Sequence, residues 1–235
     1  MSAWKPRRFW KIASPAPVDA GWTVRLDDRP VKTPAKALLV VPTEAMAQAI
    51  AAEWDAQERE VRPETMPVTR AANSALDKVA TQYDEVAAML AAYAGSDLLC
   101  YRATGPEPLV ARQSQAWDPL LAWARDALGL FLTVTSGVMP VAQAPDVVPR
   151  ATALAAGLGP FRLAAFHDLV AISGSFILAM AVIRGQLSVA DAWAMSRIDE
   201  LWQIEEWGED DEAMALAAAR WTDFEQAARF YDLCG

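Results

Sequence analysis

The chain has one histidine, His167, and two cysteines, Cys100 and Cys234, in 235 residues. That scarcity removes much of the catalytic repertoire. A zinc centre needs three or four nitrogen and sulfur ligands, which one imidazole and two distant thiols do not supply. Neither Ser nor Cys stands in a nucleophile-elbow or protease-type setting, so a lone histidine opening an apolar helix reads as structural. Glycine is sparse as well. The one Gly-rich spot, Gly157-Leu158-Gly159-Pro160, lacks the Lys-Ser/Thr and the preceding strand of a phosphate loop. It reads as a turn between helices, and no cofactor, metal ligand set or catalytic residue is expected. Two isolated thiols fit a reducing compartment.

Positive charge is also short: 21 Lys and Arg against 30 Asp and Glu, a net charge of −9. Binding nucleic acid by counterion release needs a cationic face, so nucleic acid is excluded as a partner. A protein partner with basic patches is not. Lys5, Arg7, Arg8 and Lys11 interleave with Trp4, Phe9 and Trp10, which reads as an edge strand with its charges in solvent. Met1 to Lys11 has no apolar core for a secretory signal, and it is too short and Ser-poor for a mitochondrial presequence. The longest apolar run, Leu169 to Ile183, falls short of the roughly twenty residues of a spanning helix. It is expected to be a buried helix, with no membrane insertion. Ser173-Gly174-Ser175 at its centre would let a neighbouring helix come close.

Apolar residues are abundant, at 54%, enough for a substantial core. The spacing predicts an α+β protein: a small N-terminal domain (1–62) with an antiparallel sheet and a helix, then a larger, mainly helical domain (63–235). Arg8–Ala13 and Trp22–Leu26 read as strands separated by a Pro/Gly loop, Asp27-Asp28-Arg29-Pro30 as a turn, and Ala37–Val41 as a further strand. A helix starts at Thr43, a good N-cap, with Met46, Ile50 and Trp54 on one face. Pro67 opens the next, whose apolar positions run from Val68 to Tyr93 at steps of four and three. Asp97–Arg102 is expected to be extended, with Leu98–Arg102 pairing with a strand at Leu130–Thr135. Further helices are expected over 106–128, broken at Asp118-Pro119, and over Val147–Ala156, Phe161–Ile183, Ser188–Trp207 and Asp210–Tyr231.

Two excesses remain. Carboxylates crowd the stretch from Glu205 to Glu212, where Gly208 would end one helix and Asp210 or Asp211 cap the next. If Ser188–Trp207 is one helix, Glu205 extends the stripe of Ala190, Ala194, Ile198 and Leu201, and there it must meet an internal Arg such as Arg70 or await a partner. Tryptophan occurs ten times. Trp207, beside a glycine break and the acids, is the one expected to be partly exposed.

At these residues the chain resembles a chaperone family, the ATP synthase F1 complex assembly factor 2 family. The matching stretches are Arg8-Phe9-Trp10, AIAAEWDAQ (Ala49–Gln57), MPVTRAANSALD (Met66–Asp77), SDLLCYRA (Ser96–Ala103), LVARQSQAWDPLLAW (Leu109–Trp123) and GSFILAMAV (Gly174–Val182). They end with DELWQIEEWGED (Asp199–Asp210). The resemblance implies a small sheet-containing domain followed by a helical one, and a chaperone rather than an enzyme. Its partner would be the free F1-ATPase alpha subunit, held until it joins the beta subunit. Gln203, Glu205, Trp207, Gly208 and Asp210 would lie in the contact segment. Glu53 and Trp54, with Arg70, Asn73 and Asp77, would orient the two domains or touch the partner. A bacterial cytoplasmic protein, monomeric when free, is expected; an organellar member would sit in the mitochondrial matrix. Two other readings stay open: an enzyme using the Glu205–Asp210 carboxylates, with or without a divalent metal, and a helical oligomerisation module.

Overall fold

The computed structural model describes residues 7–235. Trp4 and Lys5 of the basic-aromatic strip lie outside the described residues. The chain falls into two compact units: Met1–Tyr83 with Pro160–Ala165 and Arg229–Gly235, and Asp84–Gly159 with Phe166–Ala228.

The first unit carries the antiparallel sheet β1 (Ala13–Val18), β2 (Gly21–Leu26) and β3 (Arg29–Pro30), in that order. β1 begins where the strand expected at Arg8–Ala13 ends, and runs through the Pro-rich stretch taken for a loop. Pro15 and Pro17 lie opposite Val24 and Trp22. Two residues apart on an edge strand, both missing N–H groups fall on the side away from β2, so no ladder bond is lost. Arg8–Ile12 is instead tied by side chains. The Arg8 guanidinium donates to the carbonyls of Trp10, Lys11, Asp55 and Gln57. Asp27 accepts the amides of Lys11 and Ile12. The strand expected at Ala37–Val41 survives only as bridges, with Trp22 and Val41 exchanging both backbone bonds.

Helix α1 (Glu44–Asp55) starts as its cap foretells: the Thr43 hydroxyl accepts from the Met46 N–H at 3.1 Å, and Met46, Ala47 and Ile50 are fully buried. α2 (Pro67–Ser74) opens at Pro67. The long helix expected beyond it is interrupted. A wide π turn at Ala75–Val79 is followed by a break, where the Thr81 hydroxyl donates to the Asp77 and Lys78 carbonyls. α3 (Tyr83–Ala92), which from Asp84 on belongs to the second unit, then buries Ala87, Leu90 and Ala91, leaving Val86 and Tyr93 only half-buried. The wide turn inserts a residue, so the steps counted from Val68 lose phase. Residues from late in the chain complete the first unit. Phe161 stacks on Phe230 with centroids 6.4 Å apart, and the Thr43 hydroxyl donates to the Leu233 carbonyl at 2.5 Å.

The second unit is mainly helical. β4 (Tyr101–Arg102) pairs in parallel with β5 (Thr135–Ser136), so the two expected extended segments meet only at their last residues. α4 (Glu107–Trp123) continues through Pro119 instead of breaking there. Trp117 and Leu120 on either side of Pro119 are buried, and that packing outweighs the ~3 kcal/mol an interior proline costs a free helix. α5 (Val147–Ala156) matches its expected range. Phe161–Ile183 is two helices, α6 (Pro160–Ser173) and α7 (Phe176–Ile183). Gly174, at φ 71°, ends the first, and the Ser175 hydroxyl accepts the Leu178 N–H to start the second. A Cβ on Gly174 would meet nothing within 4 Å. Ser173-Gly174-Ser175 is therefore a helix break, and the segment that comes close to it is Asp97-Leu98, through the Leu98 amide on the Gly174 carbonyl and Asp97 on Ser175, not a neighbouring helix at Gly174. Ser188–Trp207 is likewise split at Arg197 into α8 (Val189–Ser196) and α9 (Ile198–Trp207), and α10 (Asp211–Asp232) follows. α7 is the core of this unit: every residue from Phe176 to Ala181 is fully buried, and it packs against α4 and α8. Among the described residues no helix is long and apolar enough to cross a membrane.

Candidate interaction surface

α4 holds the α8–α9 region at three levels along its own length. The Trp117 indole donates to the Met195 carbonyl at 3.0 Å. Gln113, buried, donates to Asp199 at 2.6 Å while its oxygen accepts the Ala103 N–H at 2.8 Å. Arg112 grips both oxygens of Glu205 at 2.8 Å each, and its guanidinium lies 5.1 Å from the Trp202 ring centre. The pair is exposed, and each partner favours the other's charged form. The hydrogen bond to Glu205 raises the Arg112 pKa, and that to Arg112 lowers the Glu205 pKa.

This settles Glu205's surroundings differently from the stripe expected in sequence. Because the helix is cut at Arg197, steps counted from Ala190 do not carry across. Ala190, Ala194 and Leu201 are exposed, and only Ile198 of the stripe is buried. Glu205 thus sits at the surface, with an internal partner that is Arg112 and not Arg70.

Beyond Glu205 the chain turns outward. Gly208, at φ 92°, ends α9, a conformation glycine adopts without strain. Asp210 caps α10 by accepting the Ala213 N–H at 2.8 Å. Trp207 is 81% exposed. Gln203, Glu206, Glu209, Asp211 and Glu212 are exposed, as are Met214 and Leu216; from Asp211 to Arg220 only Ala217 is even half-buried. Chain continuity therefore brings the five expected contact residues to one turn, with different tasks. Glu205 is bound to Arg112, Gly208 and Asp210 build the turn, and Gln203 and Trp207 project into solvent.

The second expected set lies in the first unit. Glu53 accepts the amides of Val68 and Thr69 at 2.7 and 2.8 Å and the Thr69 hydroxyl at 2.6 Å, a carboxylate at the positive end of α2. Trp54 meets Trp10 edge to face at 5.2 Å. Asp77 accepts the Ala35 N–H at 3.0 Å, Asn73 is half-buried with its Oδ1 enclosed, and Arg70 is exposed. The wide turn at Ala75 separates Asp77 from the other two.

Three features escaped the sequence. Asp97 is wholly buried, accepting the Ser175 hydroxyl at 2.7 Å and the amides of Leu99 and Ile177 at 3.0 Å each. Burial pushes its pKa up to about 6 while those hydrogen bonds pull it down. Arg102, also buried, donates to the Leu99 carbonyl and to Asp118, over the Trp117 ring. A charged residue at each end of a short apolar run was the available signal for both, in Asp97-Leu98-Leu99-Cys100-Tyr101-Arg102. The third is a shallow groove of about 420 Å³ between Asp118, Leu121, Arg125 and Phe131–Val134. His167 contacts Asp168 at 2.8 Å, a hydrogen bond that raises its pKa. Among the described residues no three His, Cys, Asp or Glu side chains are grouped to hold a metal ion.

Known proteins are similar to this chain in sequence and in fold. The profile of a family described as ATP12 chaperone protein matches residues 7–125. The crystal structure of Atp12 from Paracoccus denitrificans is 50% identical, with a TM-score of 0.94 over 97% of this chain and 98% of that one. The crystal structure of a protein from Agrobacterium tumefaciens is 40% identical, with a TM-score of 0.92 over 98% and 87% of the two chains. Mitochondrial protein atp12 of Schizosaccharomyces pombe is 26% identical over 219 residues, 88% of this chain and 75% of the relative.

Proposed function

The chain belongs to the ATP12 chaperone family, which serves assembly of the F1 part of ATP synthase, and from that membership we propose that it holds the free alpha subunit. Bound there, the client is kept from aggregating until it pairs with the beta subunit. A ring subunit alone exposes the apolar face that its neighbours will cover, and such a face self-associates. Covering it reversibly needs shape and charge but no turnover of ATP. The protein works as a monomer in the bacterial cytoplasm, without cofactor.

The observation that carries the contact surface is Trp207, 81% exposed where α9 ends, in a setting of Glu206, Glu209, Asp211 and Glu212. A large aromatic ringed by charge is the kind of anchor that dominates protein interfaces. Gln203 stands beside it and Gly208 and Asp210 present it, while Glu53, Trp54, Arg70, Asn73 and Asp77 serve to orient the two domains or to touch the client. Purified alpha subunit diluted from denaturant is the test. With one equivalent of this protein, light scattering should fall and a one-to-one complex should elute on gel filtration, then dissolve when beta subunit is added. Unchanged scattering with no complex overturns the proposal.

A further inference from the structure

We propose that Glu205 serves client capture from the inner side of α9, as the strut that sets this helix through Arg112, and that it does not touch the client. This rests on the contact surface at Gln203–Asp210 proposed above.

The faces of α9 carry the case. At 3.6 residues per turn, Ile198, Trp202 and Glu205 fall on one side, while Gln203 and Trp207, four apart, share the opposite side. The first side is turned to α4: Ile198 is buried, Trp202 is half-buried under Arg112, and Glu205 is in the Arg112 fork. The second side is exposed. Glu205 therefore points away from the surface that Trp207 presents.

Anchoring is uneven along the helix. Its first turn is tied by Asp199 to buried Gln113 and by Ile198 in the core. From Leu201 to Trp207 no residue is buried, and among the described residues Arg112 provides the side-chain bonds recorded there. A planar guanidinium meeting a carboxylate at two points fixes rotation as well as distance. Global stability gains little from an exposed pair. What the pair governs is the aim of the last helical turn, and with it the direction of the Trp207 indole two residues on. Arg112 is thereby assigned as a positioning residue for capture, although it lies 93 positions from Glu205 in the sequence.

The experiment is a charge swap read two ways, by capture of purified alpha subunit and by hydrogen exchange of the 203–208 amides. Glu205→Arg and Arg112→Glu should each weaken capture at least about tenfold and speed that exchange, with melting temperature nearly unchanged. Arg112→Lys, which keeps the charge and loses the fork, should fall between them and wild type. The double variant should recover capture to within about threefold and slow exchange again. If Arg112→Glu captures normally, or the double variant stays as weak as Glu205→Arg, the strut is refuted and Glu205 reads the client itself. Trp207→Ala separates this from the surface reading. If it captures like wild type while the swap still restores exchange, the surface is misplaced and the strut stands.

Discussion

Helix α7 and the stretch from Leu201 to Arg220 are opposite kinds of structure within one compact unit. Six consecutive α7 residues, Phe176 to Ala181, are fully buried, so its sequence is constrained on every side. In the 20 residues from Leu201 to Arg220 none is buried, yet Trp207, Leu201, Met214 and Leu216 are large and apolar. Burial of apolar surface stabilises the first. The second contributes little to the fold, and its exposed aromatic has no account within the chain. What stabilises this protein and what it leaves exposed are thus separated along the sequence.

The contrast can be broken or sharpened by substitution. The largest effect should come from Phe176→Ala, which empties a site where Phe166 and Phe176 meet edge to face at 5.1 Å. A loss of about 3–5 kcal/mol in urea unfolding is expected; under about 1.5 kcal/mol would mean that α7 tolerates a void and is no core helix. Next comes the carboxylate at the start of α7. The folded pKa of Asp97, about 6, lies above the usual value near 3.9, so folding favours its protonated form. Its contribution is full below about pH 4, is lost as pH rises towards 6, and stays lost above. Asp97→Asn removes that component, so the variant should gain roughly 2–3 kcal/mol on wild type between pH 4 and pH 7. A constant gap between the two would show the carboxylate to be solvated. Smallest for stability is Trp207→Ala, within about 0.5 kcal/mol by thermal melting, with capture of alpha subunit reduced about tenfold or more. A marked loss of stability there would make Trp207 part of the core and erase the contrast.

What could be read from sequence was local. Thr43, Pro67, Gly208 and Asp210 act within a turn of where they stand, and each opens or closes a helix as its chemistry dictates. Trp207 followed from its neighbours in the same way, as did the α+β division into a small sheet with a helix and a mainly helical remainder. Long helices were drawn too long because apolar spacing continues across a break. Gly174 and Arg197 interrupt the backbone without interrupting the pattern, and a π turn at Ala75–Val79 shifts the phase while Leu76 and Val79 keep the apolar spacing. β1 was missed because prolines argue against a strand except at an edge, and edges are set by tertiary neighbours. The partners of Glu205 and Asp97 lie 93 and up to 80 positions away. Periodicity holds no information at that range.

The composition of the first unit bears on the order in which the protein is made. The sheet and α1 leave the ribosome well before residues 160–165 and 229–235, but the stack of Phe161 on Phe230 and the bond from Thr43 to Leu233 belong to the same unit. At roughly 5–20 residues per second, the N-terminal portion waits on the order of ten seconds for its last pieces. During synthesis it is a three-stranded sheet with a helix, and such small sheets are marginal alone. An assembly chaperone is therefore itself unfinished, and open to misassociation, until residues 229–235 have been made.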